Sequence, residues 1–254
     1  MNVSPLRLAD TTPVPCALWR VDLDQHVPAA AHARLSAEEI ARASRFVFAR
    51  DRSRYIAAHA ALRQLLTQHM ANASQAAVEP LTLVVGSHGK PALATPSRLH
   101  FNLSHSQNVG LVAISEDCEL GVDVEQVRPM NDAAAMAGAY FTPAEQAALA
   151  ACGSTFGDAA RDRAFFICWT RKEACLKALG IGLYLATRDF EVGISPTSRT
   201  VEIATPEGVE RVQLQSFADG DTVGALALRC AQARSAGLLD STHAVASSPA
   251  EAQA

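Results

Sequence analysis

Three carboxylates and a lysine give this chain its clearest chemistry. Asp123 and Glu125 stand two apart in LGVDVE (120–125), and Glu173 and Lys177 stand four apart in WTRKEACLKALG (169–180). Alternate residues of a strand share a face, which puts the two acids about 6.6 Å apart along it. Residues i and i+4 share a helix face, so Glu173 and Lys177 can meet one ligand. If Glu173 converges on the strand pair, two carboxylates about 4 Å apart repel by roughly 4 kcal/mol at an effective dielectric of 20. Such a cluster calls for a cation, and hard oxygen donors without histidine or cysteine favour Mg²⁺. Plainer readings compete. The acids also suit a solvated edge strand, and Glu173–Lys177 an exposed ion pair worth a few tenths of a kcal/mol. Thr170 to Glu173 further matches a capping box, which would make Glu173 a helix-start residue.

Two more stretches point to anionic ligands. FNLSHS (101–106) is read as strand followed by a Ser-His-Ser turn, in which the hydroxyls of Ser104 and Ser106, the His105 imidazole and backbone N–H groups suit phosphate oxygens. A Ser–His hydrolase is the rival reading. Adjacent residues rarely point at one another, however, and no GxSxG elbow occurs. Between Arg42 and Arg63, six arginines face one acid, Asp51, in a chain of formal net charge −4. A one-signed run inside an acidic protein suggests anionic groups, although solvated helix faces also carry such runs. Lys90, in a Gly-Lys-Pro turn, adds a further candidate phosphate contact.

The elements that must position these residues follow from periodicity. Strand patterns fall at 16–23, 81–85, 101–103, 109–114, 120–124, 190–194, 201–204, 211–217 and 223–229. Helix patterns open at the capping box Ser36–Glu39, run from Tyr55 to about Asn72, open again at Thr142–Glu145, and continue from about Asp158 to Gly180. Residues 1–15 look like a lead-in without periodicity. The order of a strand, a helical stretch and several strands occurs twice. It predicts an α+β fold of two similar halves, 1–119 and 120–234, with the site in the cleft between them and a disordered tail at 235–254.

Composition narrows the class. The chain has 254 residues, 19% charged and 49% apolar, as in ordinary globular proteins. Its negative balance argues against general nucleic-acid binding. No run approaches the ~18 apolar residues of a membrane span, and the N-terminus lacks a signal-type apolar core. Six cysteines form no CxxC pair and are expected to be reduced, mostly buried thiols of a cytoplasmic protein.

GKP, FNLSHS, GVDVE and WTRKEACLKALGIGL, in this order and at these separations, resemble the Sfp-type 4′-phosphopantetheinyl transferases. The resemblance spans about residues 38 to 194, and GxDxE followed by WxxKEAxxK is its most specific part. It implies two similar α+β halves with coenzyme A and Mg²⁺ between them, and transfer of the phosphopantetheine arm to a serine of an acyl or peptidyl carrier protein. Adenosine 3′,5′-bisphosphate would leave. By motif, Asp123, Glu125 and Glu173 are implied as metal ligands, with Glu173 also as base. Lys177 and His105 would neutralise the pyrophosphate, with Ser104 beside them. Arg54, Lys90 and Arg42 would contact the 3′-phosphate and adenosine end. A monomer is expected. Two rival functions use the same residues: a Mg²⁺-dependent phosphohydrolase or nucleotidyl enzyme, and a non-catalytic nucleotide-binding module.

Overall fold

A computed structural model describes residues 2–8, 16–73, 81–86, 89–182 and 185–230. The expected tail and part of the 86–91 loop lie outside the described residues.

The first half opens with β1 (Asn2–Pro5) and β2 (Ala17–Asp22). A short helix α1 (Ala29–His32), α2 (Ala37–Ala43) and the long α3 (Ala49–Ala73) follow. Next come β3 (Leu83–Val85), β4 (Pro91–Leu93), β5 (His100–Ser106) and β6 (Val109–Ser115). The second half runs through β7 (Cys118–Gln126), α4 (Ala133–Tyr140), α5 (Pro143–Phe156) and α6 (Asp158–Leu179). After a short 3₁₀ turn at Thr187–Asp189 it closes with β8 (Arg199–Thr205), β9 (Gly208–Asp219) and β10 (Thr222–Cys230).

The strands form two four-stranded antiparallel sheets, ordered β1-β2-β6-β5 and β7-β10-β9-β8, with β3 and β4 as a separate pair. Alternation along each strand explains the layering. Val21, Val112 and Ile114 face α3, whose Ala58, Ala61, Leu62 and Leu65 complete one core. Leu18, Leu111 and Ala113 point the other way, onto Leu120, Val122 and Val124 of β7 and Leu226 and Leu228 of β10. Phe165, Cys168, Cys175 and Leu176 of α6 cover the remaining face of the second sheet. The expected α+β fold of two similar halves is therefore observed, with one long helix, α3 or α6, in each half.

Several expectations need correction. The N-terminal residues Asn2–Pro5 form an edge strand on β2; β1 is itself largely exposed, so it carries no apolar alternation in the sequence. Residues 190–194 are irregular; Arg171 and Lys172 of α6 donate to the carbonyls of Val192 and Phe190, and Glu145 of α5 accepts from the N–H groups of Val192 and Gly193, in place of a ladder. Ser104 and Ser106 lie in β5 itself, and the turn is only Gln107-Asn108, with Gln107 at φ 52°. Cys118 is disulfide-bonded, against the expectation of six free thiols, and the register sets Cys230 directly opposite it. The Thr170 capping box does not exist: Thr170 lies inside α6 and donates to the Ile167 carbonyl. The boxes at Ser36 and Thr142 do form.

Candidate active site

The site is built where β5, β7 and α6 meet. Along β7, Leu120, Val122 and Val124 enter the core between the sheets, which sends Gly121, Asp123 and Glu125 to the opposite face. α6 crosses that face in contact. A Cβ on Gly121 would lie 2.2 Å from the Ala174 carbonyl oxygen, 2.4 Å from the Ala178 nitrogen and 2.7 Å from the Lys177 Cβ. Only glycine lets the helix backbone come this close, and the approach is what carries Lys177 to Asp123. α6 then stops at Gly180, which takes the left-handed conformation at φ 68°.

Polar side chains join the facing edges of the two sheets. Asn102 Oδ1 accepts from the Val122 N–H at 2.9 Å, and Ser104 Oγ donates to Asp123 Oδ1 at 2.8 Å. Ser106 Oγ donates to Glu125 Oε2 at 2.6 Å, and Gln126 Nε2 donates to Asn108 Oδ1 at 2.8 Å. The period-two run Asn-x-Ser-x-Ser-x-Asn thus matches the strand opposite. Lys177 Nζ closes the group, 2.6 Å from Asp123 Oδ1 and 3.2 Å from Ser104 Oγ. Asp123 is buried, whereas Glu125, Glu173 and Lys177 are half-buried.

Electrostatics follow from this crowding. Burial pushes the Glu173 carboxyl above its ordinary pKa; Asp123 and Glu125 add repulsion, and Lys177 opposes them. Glu125 is raised for the same first reason, against the hydrogen bond from Ser106. His105 is exposed to solvent, yet the protein packed around it lowers its imidazole pKa first, with His59 and Lys177 adding to the effect. Among the described residues no group of three histidine, cysteine or acidic side chains is already gathered as a metal cage. Instead, Lys177 and the two serines hold Asp123 and Glu125.

A cleft of about 300 Å³ opens beside this cluster, lined in part by Lys90, Asn102, Glu173, Lys177 and Gly180. Lys90 reaches it while donating to Glu119 at 2.6 Å and to the Leu120 carbonyl at 3.1 Å. Arg54 grips Asp24 with two bonds of 2.6 and 2.9 Å and reaches Gln107, two residues after His105, at 3.4 Å. Arg42 lies 6.0 Å over the Tyr55 ring, which packs on His59. Arg63, by contrast, is buried on Glu39.

The helix motif divides its labour. Arg171 is fully buried and donates to the carbonyls of Val192 and Thr197 and to Ser216. Lys172 is buried against Glu145 at 2.8 Å and the carbonyls of Thr187 and Phe190. Both tie the irregular segment to α6, so Glu173 and Lys177 alone of the motif's charges face the cleft. From sequence, Asp24 and Glu119 carry no expected role, and Ser106 only that of a phosphate-facing hydroxyl in the Ser-His-Ser turn, whereas it donates to Glu125. Only Ser106 left a signal in the sequence, its period-two match to Glu125.

An acidic and cationic cluster lies at the seam of two α+β halves, beside an open cleft. Residues 119–227 match the model of the 4′-phosphopantetheinyl transferase superfamily, and residues 19–117 match the 4′-phosphopantetheinyl transferase N-terminal model. The 4′-phosphopantetheinyl transferase HetI of Nostoc sp. is 37% identical over 187 residues, 71% of this chain and 74% of that protein. The 4′-phosphopantetheinyl transferase of Bacillus subtilis is 28% identical over 187 residues, 73% and 77% of the two chains. AcpT of Salmonella typhi is 37% identical over 109 residues, 41% and 53% respectively. The chain belongs to the 4′-phosphopantetheinyl transferase superfamily. The activity of that superfamily is transfer of phosphopantetheine from coenzyme A to carrier proteins. No described helix is long and apolar enough to cross a membrane.

Proposed function

We propose that coenzyme A binds in the cleft at the β5–β7–α6 junction and that Glu173, Lys177 and His105 carry the transfer to a carrier serine. One observation supports this above the others. Lys177, Ser104 and Asp123 sit within hydrogen-bond distance of one another at the lip of a cleft lined by Glu173 and Lys90. Asp123, Glu125 and Glu173 would hold Mg²⁺. Three hard-oxygen donors whose charges oppose one another, with no thiolate or imidazole among them, fit that ion. When bound, the ion supplies charge screening for a pyrophosphate.

The residues then divide the reaction. Glu173 takes the proton from the acceptor serine, directly or through water. The serine oxygen bonds to the pantetheine-side phosphorus, the pyrophosphate P–O bond breaks, and adenosine 3′,5′-bisphosphate leaves with the electron pair. Lys177 and His105 offset charge on the phosphates, with Ser104 beside them. Lys90, Arg54 and Arg42 receive the 3′-phosphate and adenosine end, for which Arg54 would exchange its Asp24 partner. The same reading divides the chain at 119/120 into two halves, with 235–254 a tail, and makes the protein a cytoplasmic monomer.

The test is incubation with coenzyme A, Mg²⁺ and a panel of apo acyl and peptidyl carrier proteins, read by intact mass. One carrier is expected to gain a single phosphopantetheine, with transfer lost in excess chelator. Transfer that continues undiminished in chelator would remove the metal assignment. A folded, coenzyme A-binding protein that modifies no carrier would remove the acceptor assignment.

A further inference from the structure

We infer that Ser106 is a positioning residue that aims Glu125 at the metal site, a role distinct from holding the two halves together. The inference rests on the reading that Asp123, Glu125 and Glu173 are the metal ligands. Its own ground is the geometry of the β5–β7 seam.

Four side chains of the Asn102–Asn108 run cross that seam, and they do two different things. Asn102 satisfies the Val122 backbone N–H, and Asn108 accepts from the Gln126 side chain; neither touches a carboxylate. Ser104 and Ser106 each donate to one acid of the DxE pair, at 2.8 and 2.6 Å. Two serines a two-residue step apart face two acids a two-residue step apart, so one register serves both contacts.

The two acids are not equally held. Asp123 is buried and is fixed by Lys177 as well as Ser104. Glu125 has a longer side chain, is half-buried, is repelled by Asp123, and pairs with the exposed Arg128, 3.6 Å from its Oε2. Without Ser106, the exposed Arg128 is the remaining ion-pair partner of Oε2, and the carboxylate is free to leave the seam. The Ser106 hydroxyl prevents this because it is itself fixed. It accepts from the Gln126 backbone N–H at 3.3 Å while donating to Glu125 Oε2, so its proton has one direction available. That leaves the second carboxylate oxygen of Glu125 for a cation. Partners behind the direct ligands hold those ligands in orientation, and their loss typically costs about 10- to 100-fold in metal affinity.

The experiment compares wild type, Ser106→Ala, Ser106→Thr and Asn108→Ala. Mn²⁺ serves as the probe, titrated by electron paramagnetic resonance with and without coenzyme A, and melting temperature is read on the same preparations. Ser106→Ala is expected to weaken Mn²⁺ binding by about tenfold or more, with a melting temperature close to wild type. Ser106→Thr retains the hydroxyl and should restore affinity. Asn108→Ala removes a seam bond without touching a carboxylate, so it should leave Mn²⁺ affinity unchanged. Equal Mn²⁺ affinity in wild type and Ser106→Ala overturns the inference while leaving the metal site standing. Equal losses in Ser106→Ala and Asn108→Ala overturn it in favour of a seam that holds the halves together. A wild-type protein that takes up no Mn²⁺ overturns both this inference and the metal assignment beneath it.

Discussion

Gly121→Ala is the smallest change that should disable the site from behind. The added Cβ would meet the Ala174 carbonyl oxygen at 2.2 Å and the Ala178 nitrogen at 2.4 Å, both helix backbone that cannot rotate aside. Normal contact begins near 3.4 Å, so α6 must retreat from β7 by about 1 Å. The Lys177–Asp123 contact of 2.6 Å would open to about 3.6 Å, beyond hydrogen-bond range. Overpacking typically costs about 1–3 kcal/mol, and backbone contacts place this case at the upper end. For a domain of this size, ~3 kcal/mol lowers the melting temperature by roughly 6–12 °C. A displacement of about 1 Å at catalytic groups can cost on the order of 100-fold in rate. Single-turnover transfer to an apo-carrier, measured well below the variant's own melting temperature, separates the two effects. Wild-type melting together with wild-type turnover would refute the argument that Gly121 exists to seat α6.

Three further predictions test the division of roles within and around α6. Glu173→Gln should transfer at least ~100-fold more slowly while still binding coenzyme A. A carboxyl whose folded pKa is raised gives stability that is full below its unfolded value and lost as pH rises through the folded one. The melting-temperature gap in favour of Glu173→Gln should therefore widen upward from about pH 4.5; a constant gap counts against a buried, repelled carboxylate. Lys172→Met should destabilise by about 3–5 kcal/mol in denaturant titration, because Glu145 is left buried without its partner. Coenzyme A affinity of the folded fraction should hold, and its loss would place Lys172 in the site. Arg54→Ala should weaken coenzyme A by roughly 1.5–3 kcal/mol more than the analogue lacking the 3′-phosphate. Equal losses for both ligands, by calorimetry, would leave Arg54 only its bond to Asp24.

Much of the site was legible in the sequence because it depends on local periods. The two-residue step of Asp123 and Glu125 on a strand and the four-residue step of Glu173 and Lys177 on a helix are covalent facts. The capping boxes at Ser36 and Thr142 are equally local, since each closes within three residues. Tertiary packing decided what the charges do. Nothing in the order Arg171-Lys172-Glu173 says that the first two are buried on the 187–197 segment and only the third faces the cleft; the faces of a buried helix are assigned by its neighbours. The Thr170 capping box failed for that reason, as its local pattern was absorbed into a longer helix packed on the sheet. Arg54 with Asp24, Lys90 with Glu119 and Ser106 with Glu125 are contacts between distant segments. Only chain folding brings those partners together, and no local period records them.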